Sequence, residues 1–137
     1  MAEFLKQYEI FFKKANTDLK AAQFLFEKFE NGDTELDLEI ICFHLQQSAE
    51  KYLKAILSKN KIEFPRVHDL ETLINLIEKE SISTNFNRQD LIDLTDFAVE
   101  GRYSVILDDI NDTGKYFKAV EKLKAETQKL IPHSKED

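Results

Sequence analysis

The chain predicts an all-α fold, an antiparallel up-and-down bundle of about five helices around a four-helix core. Three observations carry that expectation. Apolar residues recur at three- and four-residue spacing through most of the 137 residues. Only three Gly and two Pro interrupt them, which leaves few turns and favours long helices with short connections. No stretch alternates apolar and polar residues as a strand does, except weakly in "SVIL", Ser104 to Leu107.

The first helix is expected from about Glu3 to Glu30. Leu5, Tyr8, Phe12, Ala15, Leu19, Ala22, Phe26 and Phe29 fall on one stripe of it, and Asn31-Gly32 stops it. The second is expected from about Leu36 to Asn60. "KNKIEFPRVHD" then reads as an extended connection, because Pro65 pushes Phe64 out of the helical region. The third starts at Asp69, a capping residue, and runs to about Glu80 through Leu70, Leu73, Ile74 and Ile77. "SISTNFN" is a loop. The fourth is expected from about Arg88 to Tyr103, and the fifth from about Thr113 to Ile131, ended by Pro132. Residues 1–131 are expected to form one domain, and 132–137 a frayed tail.

Composition narrows the function. Hydrophobic residues make up 42% and charged residues 33%, the balance of a soluble globular chain. A net charge of −7 argues against a surface that attracts a phosphate backbone all over, but leaves room for a local basic patch. No segment approaches the roughly 20 apolar residues that span a bilayer, and no signal-like run follows Met1, so a cytoplasmic location is expected. The single Cys42 excludes an internal disulfide and reads as a core thiol.

The second helix is the least ordinary. At 100° per residue, Leu38, Ile41, Cys42, Leu45, Ala49, Tyr52, Leu53 and Ile56 share a core face. Ile40, Phe43 and Gln47 fall roughly opposite. Two apolar faces mean the helix is covered twice, by another helix of the bundle or by a partner chain, so Ile40 and Phe43 are interface candidates. His44 and Ser48 lie on the flank between the two faces. Glu50 and Lys54 read as an ordinary surface pair worth a few tenths of a kcal/mol.

Recognisable catalytic patterns are absent. His44, His68 and His133 are scattered, no HExxH or CxxC occurs, and the glycines form no phosphate loop, so no metal site, cofactor or catalytic residue is expected. "DDINDTG" begins like a calcium loop, but Val120 stands where the closing Glu belongs, and helix capping by Asp109, Asn111 or Asp112 accounts for the stretch. Asp93, Asp96 and Glu100 read as a solvated acidic stripe. Arg102 falls on the apolar side of the fourth helix with Leu91, Thr95 and Ala98, where a guanidinium needs a carboxylate, a helix-end carbonyl or an anionic ligand. Lys115, Lys118, Lys122, Lys124 and Lys129, interleaved with Glu121 and Glu126, read as a solvated last helix, with a weak nucleic-acid surface as the alternative.

Four segments together resemble the HEPN domain family of higher eukaryotes and prokaryotes. They are "TDLKAAQFLFE", "CFHLQQSAEKYLKAIL", "IEFPRVHDLETLI" and "DFAVEGRY", in family order and at family-like spacing over about residues 1–131. The resemblance implies an antiparallel helical bundle that commonly dimerises. It also implies, for prokaryotic members, pairing with a minimal nucleotidyltransferase in two-component or toxin–antitoxin systems. Some members are metal-independent ribonucleases using an Arg, four to six residues, then a His. Here Arg102 lies in the right region, but Leu107, Asp108 and Asp109 stand where that His belongs, and none can shuttle protons near neutral pH. Arg66 and His68 are too close together to be the motif.

The expectation is therefore a non-catalytic binding module, acting as a homodimer or as the partner subunit of a minimal nucleotidyltransferase, with nucleotide or RNA as its ligand. His44, Gln47, Lys51, His68, Arg102 and Tyr103 are its candidate ligand contacts. A ribonuclease toxin with a degenerate site and a purely structural subunit are the alternatives.

Overall fold

A computed structural model describes residues 6–32, 38–98 and 110–131. Within them the chain forms α1 (Gln7–Glu30), α2 (Leu38–Lys59), α3 (Leu70–Lys79), α4 (Arg88–Asp93) and α5 (Ile110–Leu130). A 3₁₀ turn over Leu94–Phe97 continues α4. No strand occurs among the described residues. The fold is all-α.

Helices α1 and α2 run antiparallel. Ser58 donates to Gln7 Oε1 at 3.1 Å near one end, and Ser48 donates to the Ala15 carbonyl at 2.8 Å near the middle. His44 faces Asp18 further along. Small residues set the close approach: Ala15 and Ala22 of α1 and Ser48 and Ala49 of α2 are fully buried. Aromatic rings close the edges of the core. Phe12 packs on Tyr52 with ring centroids 5.6 Å apart, and Phe26 on Phe117 at 4.9 Å.

Helix α2 is the central element, packed against α1, α3, the 3₁₀ turn and α5. More than half of its 22 residues are buried, so its core face is much wider than one amphipathic stripe. Ile41, Cys42, Leu45, Ala49, Tyr52, Leu53 and Ile56 are buried as expected, while Leu38 is only half-buried. Gln46, Ser48, Glu50, Ala55 and Leu57 are buried as well. Several helices cover the broad core face, but the opposite Ile40, Phe43 and Gln47 face, for which a second cover is expected, is only half-buried. The remaining sector, about 100° wide at 100° per residue, carries Ile40, Phe43, His44, Gln47, Lys51 and Lys54, all half-buried.

Asp69 caps α3 as its position predicts, accepting from the Glu71 N–H at 3.1 Å and from the Thr72 hydroxyl at 2.9 Å. The Leu70 N–H donates to Thr95 Oγ1 at 3.0 Å, so the 3₁₀ turn supplies a second cap. The expected fourth helix is cut short. It ends at Asp93 and tightens, because Leu91, Leu94 and Phe97 are all buried at a spacing of three. A 3₁₀ turn stacks such residues on one side, which an α-helix would fan apart. Its expected continuation through Glu100 and Arg102 to Tyr103 lies outside the described residues, as do "SVIL", Asp109 and the 132–137 tail.

Helix α5 begins at Ile110, three residues before the expected start, so Asn111 and Asp112 lie in its first turn rather than ahead of it. One member of its supposedly solvated face is inside. Glu126 is 9% exposed and accepts from the Asn85 N–H at 3.0 Å, pinning the 80s loop to the last helix.

Candidate functional site

The half-buried sector of α2 carries most of the candidate polar residues. Two hubs organise it, both carboxylates. Asp18 of α1 receives the Lys51 ammonium on Oδ2, while its Oδ1 lies 3.9 Å from His44 Nδ1. That His44 nitrogen is shielded from solvent and has no hydrogen-bond partner among the described residues. The Phe43 ring meets the His44 ring edge-on at 5.4 Å.

The second hub is Glu50, whose side chain is only 6% exposed. It accepts from Lys54 at 2.7 Å and from Gln46 at 3.2 Å, and lies 3.0 Å from His68 Nδ1. Gln46 also donates to the His68 carbonyl at 3.0 Å, and Gln47 donates to Gln46 Oε1 at 2.8 Å. Burial pushes the Glu50 carboxyl up, but the Lys54 ammonium and the His68 and Gln46 hydrogen bonds outweigh it and hold it below its ordinary value. Glu50 and Lys54 are therefore not the surface pair their spacing implied. His68 and Phe64 of the chain after α2 fold back against them, leaving the Glu50 side chain 6% and the Lys54 side chain 13% exposed.

Beside Lys54 lies a cleft of about 690 Å³ between the start of α1, the end of α2 and the connection after it. Phe11 and Phe64 give it an apolar wall, with ring centroids 6.1 Å apart and planes inclined at 60°. The Lys54 ammonium sits 5.8 Å over the Phe64 ring. Lys61 and Arg66 add two exposed cations, and Glu63 one carboxylate. Lys61 and Arg66 have no ion-pair partner among the described residues, whereas Lys54 is already held by Glu50.

The profile of the HEPN domain family matches residues 8–130, nearly the whole described chain and both walls of this cleft. The chain belongs to the HEPN domain family. No curated protein and no solved structure matches it significantly.

In this HEPN domain the ligand candidates separate into pairs. His44 and Lys51 converge on Asp18, and Gln47 and His68 are linked through Gln46 and Glu50. Arg102 and Tyr103 lie outside the described residues. Ile40 and Phe43 are half-buried on the face of α2 opposite its core. Ser48 is structural, since its hydroxyl is spent on the Ala15 carbonyl. No group of three or more His, Cys, Asp or Glu among the described residues could hold a metal ion, and no described helix is long and apolar enough to cross a membrane.

Reasoning along helix faces missed Phe11, Lys54, Lys61, Phe64 and Arg66. The signal that could have found them is local. "KNKIEFPR" places two lysines, an arginine and a phenylalanine around one proline-bent connection, in a chain that is otherwise acidic.

Proposed function

We propose that this HEPN domain is a non-catalytic binding module that takes a nucleotide in the cleft beside Lys54. The observation that supports it most is the pairing of Lys61 and Arg66, cations without carboxylate partners among the described residues, with the Phe11 and Phe64 wall. Phosphates need positive charge, and a base needs a flat apolar surface. A chain of net charge −7 concentrates both in one place.

The module works as a homodimer or as the partner subunit of a minimal nucleotidyltransferase, docking through Ile40 and Phe43. Both are apolar and half-buried. Calorimetric titration with a panel of nucleotides, together with a solution mass, tests the reading. Binding of at least one nucleotide and a dimeric mass, or a nucleotidyltransferase recovered with the protein from native extract, is expected. A strict monomer that binds no nucleotide and retains no such partner overturns it.

One feature favours a ribonuclease as the second reading. His68 has Nδ1 on the buried Glu50 carboxylate while its side chain is 62% exposed, an arrangement that orients an imidazole towards solvent. The family's Arg–His pattern is missing, so His68 would have to serve as the base with Arg102. RNA incubated with the purified protein and with an Arg102→Ala variant decides. Equal cleavage by the two, or none, rejects it.

A further inference from the structure

Two residues other than glycine hold a left-handed backbone among the described residues, Lys61 at φ 60° and Ser81 at φ 59°. They occupy equivalent places. After α2, the Lys61 N–H donates to the Ser58 carbonyl at 3.1 Å, and the Ile62 N–H to the Leu57 carbonyl at 2.9 Å. After α3, the Ser81 N–H donates to the Glu78 carbonyl at 3.0 Å, and the Ile82 N–H to the Ile77 carbonyl at 3.3 Å. This paired pattern is the Schellman ending, and its left-handed residue is usually glycine, which has no Cβ to clash. Ile62 and Ile82 pack against the core, so neither turn is free to relax.

The two positions differ in what surrounds them. Ser81 is exposed, with no part in the cleft. Lys61 lines the cleft, exposed and without a carboxylate partner among the described residues. Backbone strain that glycine would relieve, at a residue facing a cleft, is the pattern expected of a functional side chain. Charge is also needed there. The carbonyl end of α2 repels an anion, and the N-terminal turn of α1 at Gln7 only opposes that effect. With Lys54 neutralised by Glu50 and with Glu63 present, the net positive charge depends on Lys61 and Arg66.

We infer that Lys61 grips phosphate in this cleft from a strained left-handed turn, and that the ligand is a free nucleoside polyphosphate whose base lies on Phe11 and Phe64. This rests on the nucleotide-binding reading above. The cleft supplies two unpaired cations, set against one carboxylate, for a chain of phosphates and one aromatic wall for one base, which fits a small ligand rather than a polymer.

The test is calorimetric titration of the full chain with ATP, adenosine, inorganic triphosphate and a short RNA, alongside thermal melts. The wild type is expected to bind ATP, and adenosine at least about tenfold more weakly. Lys61→Gly is expected to raise the melting temperature by ~3 °C and weaken ATP binding about tenfold. Lys61→Arg, which restores charge on the same backbone, should bind within about threefold of wild type. Ser81→Gly should raise the melting temperature similarly and leave ATP affinity unchanged. If Lys61→Gly binds ATP as tightly as wild type, the role of Lys61 is wrong while nucleotide binding stands. Wild type that binds none of the four ligands overturns both, and wild type that binds RNA but neither ATP nor triphosphate overturns the choice of a free nucleotide.

Discussion

His68 Nδ1 lies 3.0 Å from Glu50 Oε1, joining the connection after α2 to a carboxylate buried in the middle of that helix. The Glu50 side chain is 6% exposed, and the His68 side chain 62%. A buried acid thus depends on partners that a surface segment brings to it.

Glu50→Ala is expected to destabilise the fold by ~3 kcal/mol, measured by urea unfolding. It removes the acceptor for Lys54 and Gln46 and leaves a largely buried ammonium unpaired. A loss below about 1 kcal/mol, the range of an exposed pair, would show that the network is solvated.

Acid should act through the same residue. The Glu50 carboxyl titrates below its ordinary 4.5, so the folded state binds fewer protons than the unfolded state between the two values. Its stabilisation is complete above 4.5 and disappears as pH falls through the lower, folded value. Glu126, also held low by Lys129 and the Asn85 N–H, acts in the same direction. Unfolding curves from about pH 5 to 3 should therefore fall less steeply for Glu50→Gln than for wild type, because the titrating group is gone. Parallel curves would contradict the assignment.

Ser48 tests the α1–α2 contact. Ser48→Ala removes one buried hydrogen bond to Ala15 and should cost ~1 kcal/mol. Ser48→Leu places extra volume where Ala15 and Ala49 are fully buried, and should cost more, ~2–3 kcal/mol by denaturant midpoint.

Gly114 lies within α5, and a Cβ there would meet nothing within 4 Å. Gly114→Ala should therefore stabilise the chain by ~0.5–1 kcal/mol, seen as a higher melting temperature. A drop instead would mean that another chain approaches this backbone in solution.

Phe43→Glu tests the proposed docking face. Phe43 is half-buried, so the monomer fold should survive with a melting temperature within a few degrees, while light scattering shows a smaller assembly than wild type. An unchanged mass would remove Phe43 from any interface.

The sequence made particular parts of this fold legible. Leu70, Leu73, Ile74 and Ile77 mark the inner face of α3, and Asp69 marks its start, because spacing and capping are local properties. The same rule found most of the α2 core. It failed at Gln46, Ser48 and Glu50, which are buried although polar. Periodicity scores a residue by its own polarity, whereas burial of a polar side chain depends on who arrives to pair with it. For Glu50 the arriving groups include His68, 18 residues later.

The candidate site follows the same division. Chemical type singled out His44, Gln47, Lys51 and His68 as cleft residues, but the fold ties them to Asp18, Gln46 and Glu50, and none of them lines the cleft beside Lys54. It did not single out Phe11, Lys61 or Arg66, which become neighbours only when α1 returns alongside the end of α2.

By itself the sequence determined the all-α class, the position of α3, the inner face of α2 and the family, since these are written in short-range spacing and in motifs along the chain. Only the tertiary structure decided that Glu50 is a buried hub, that the fourth helix tightens at Leu94, and that Lys61 and Arg66 share a cleft with Phe11. Those outcomes depend on which distant groups exclude water from one another, and no local pattern encodes that.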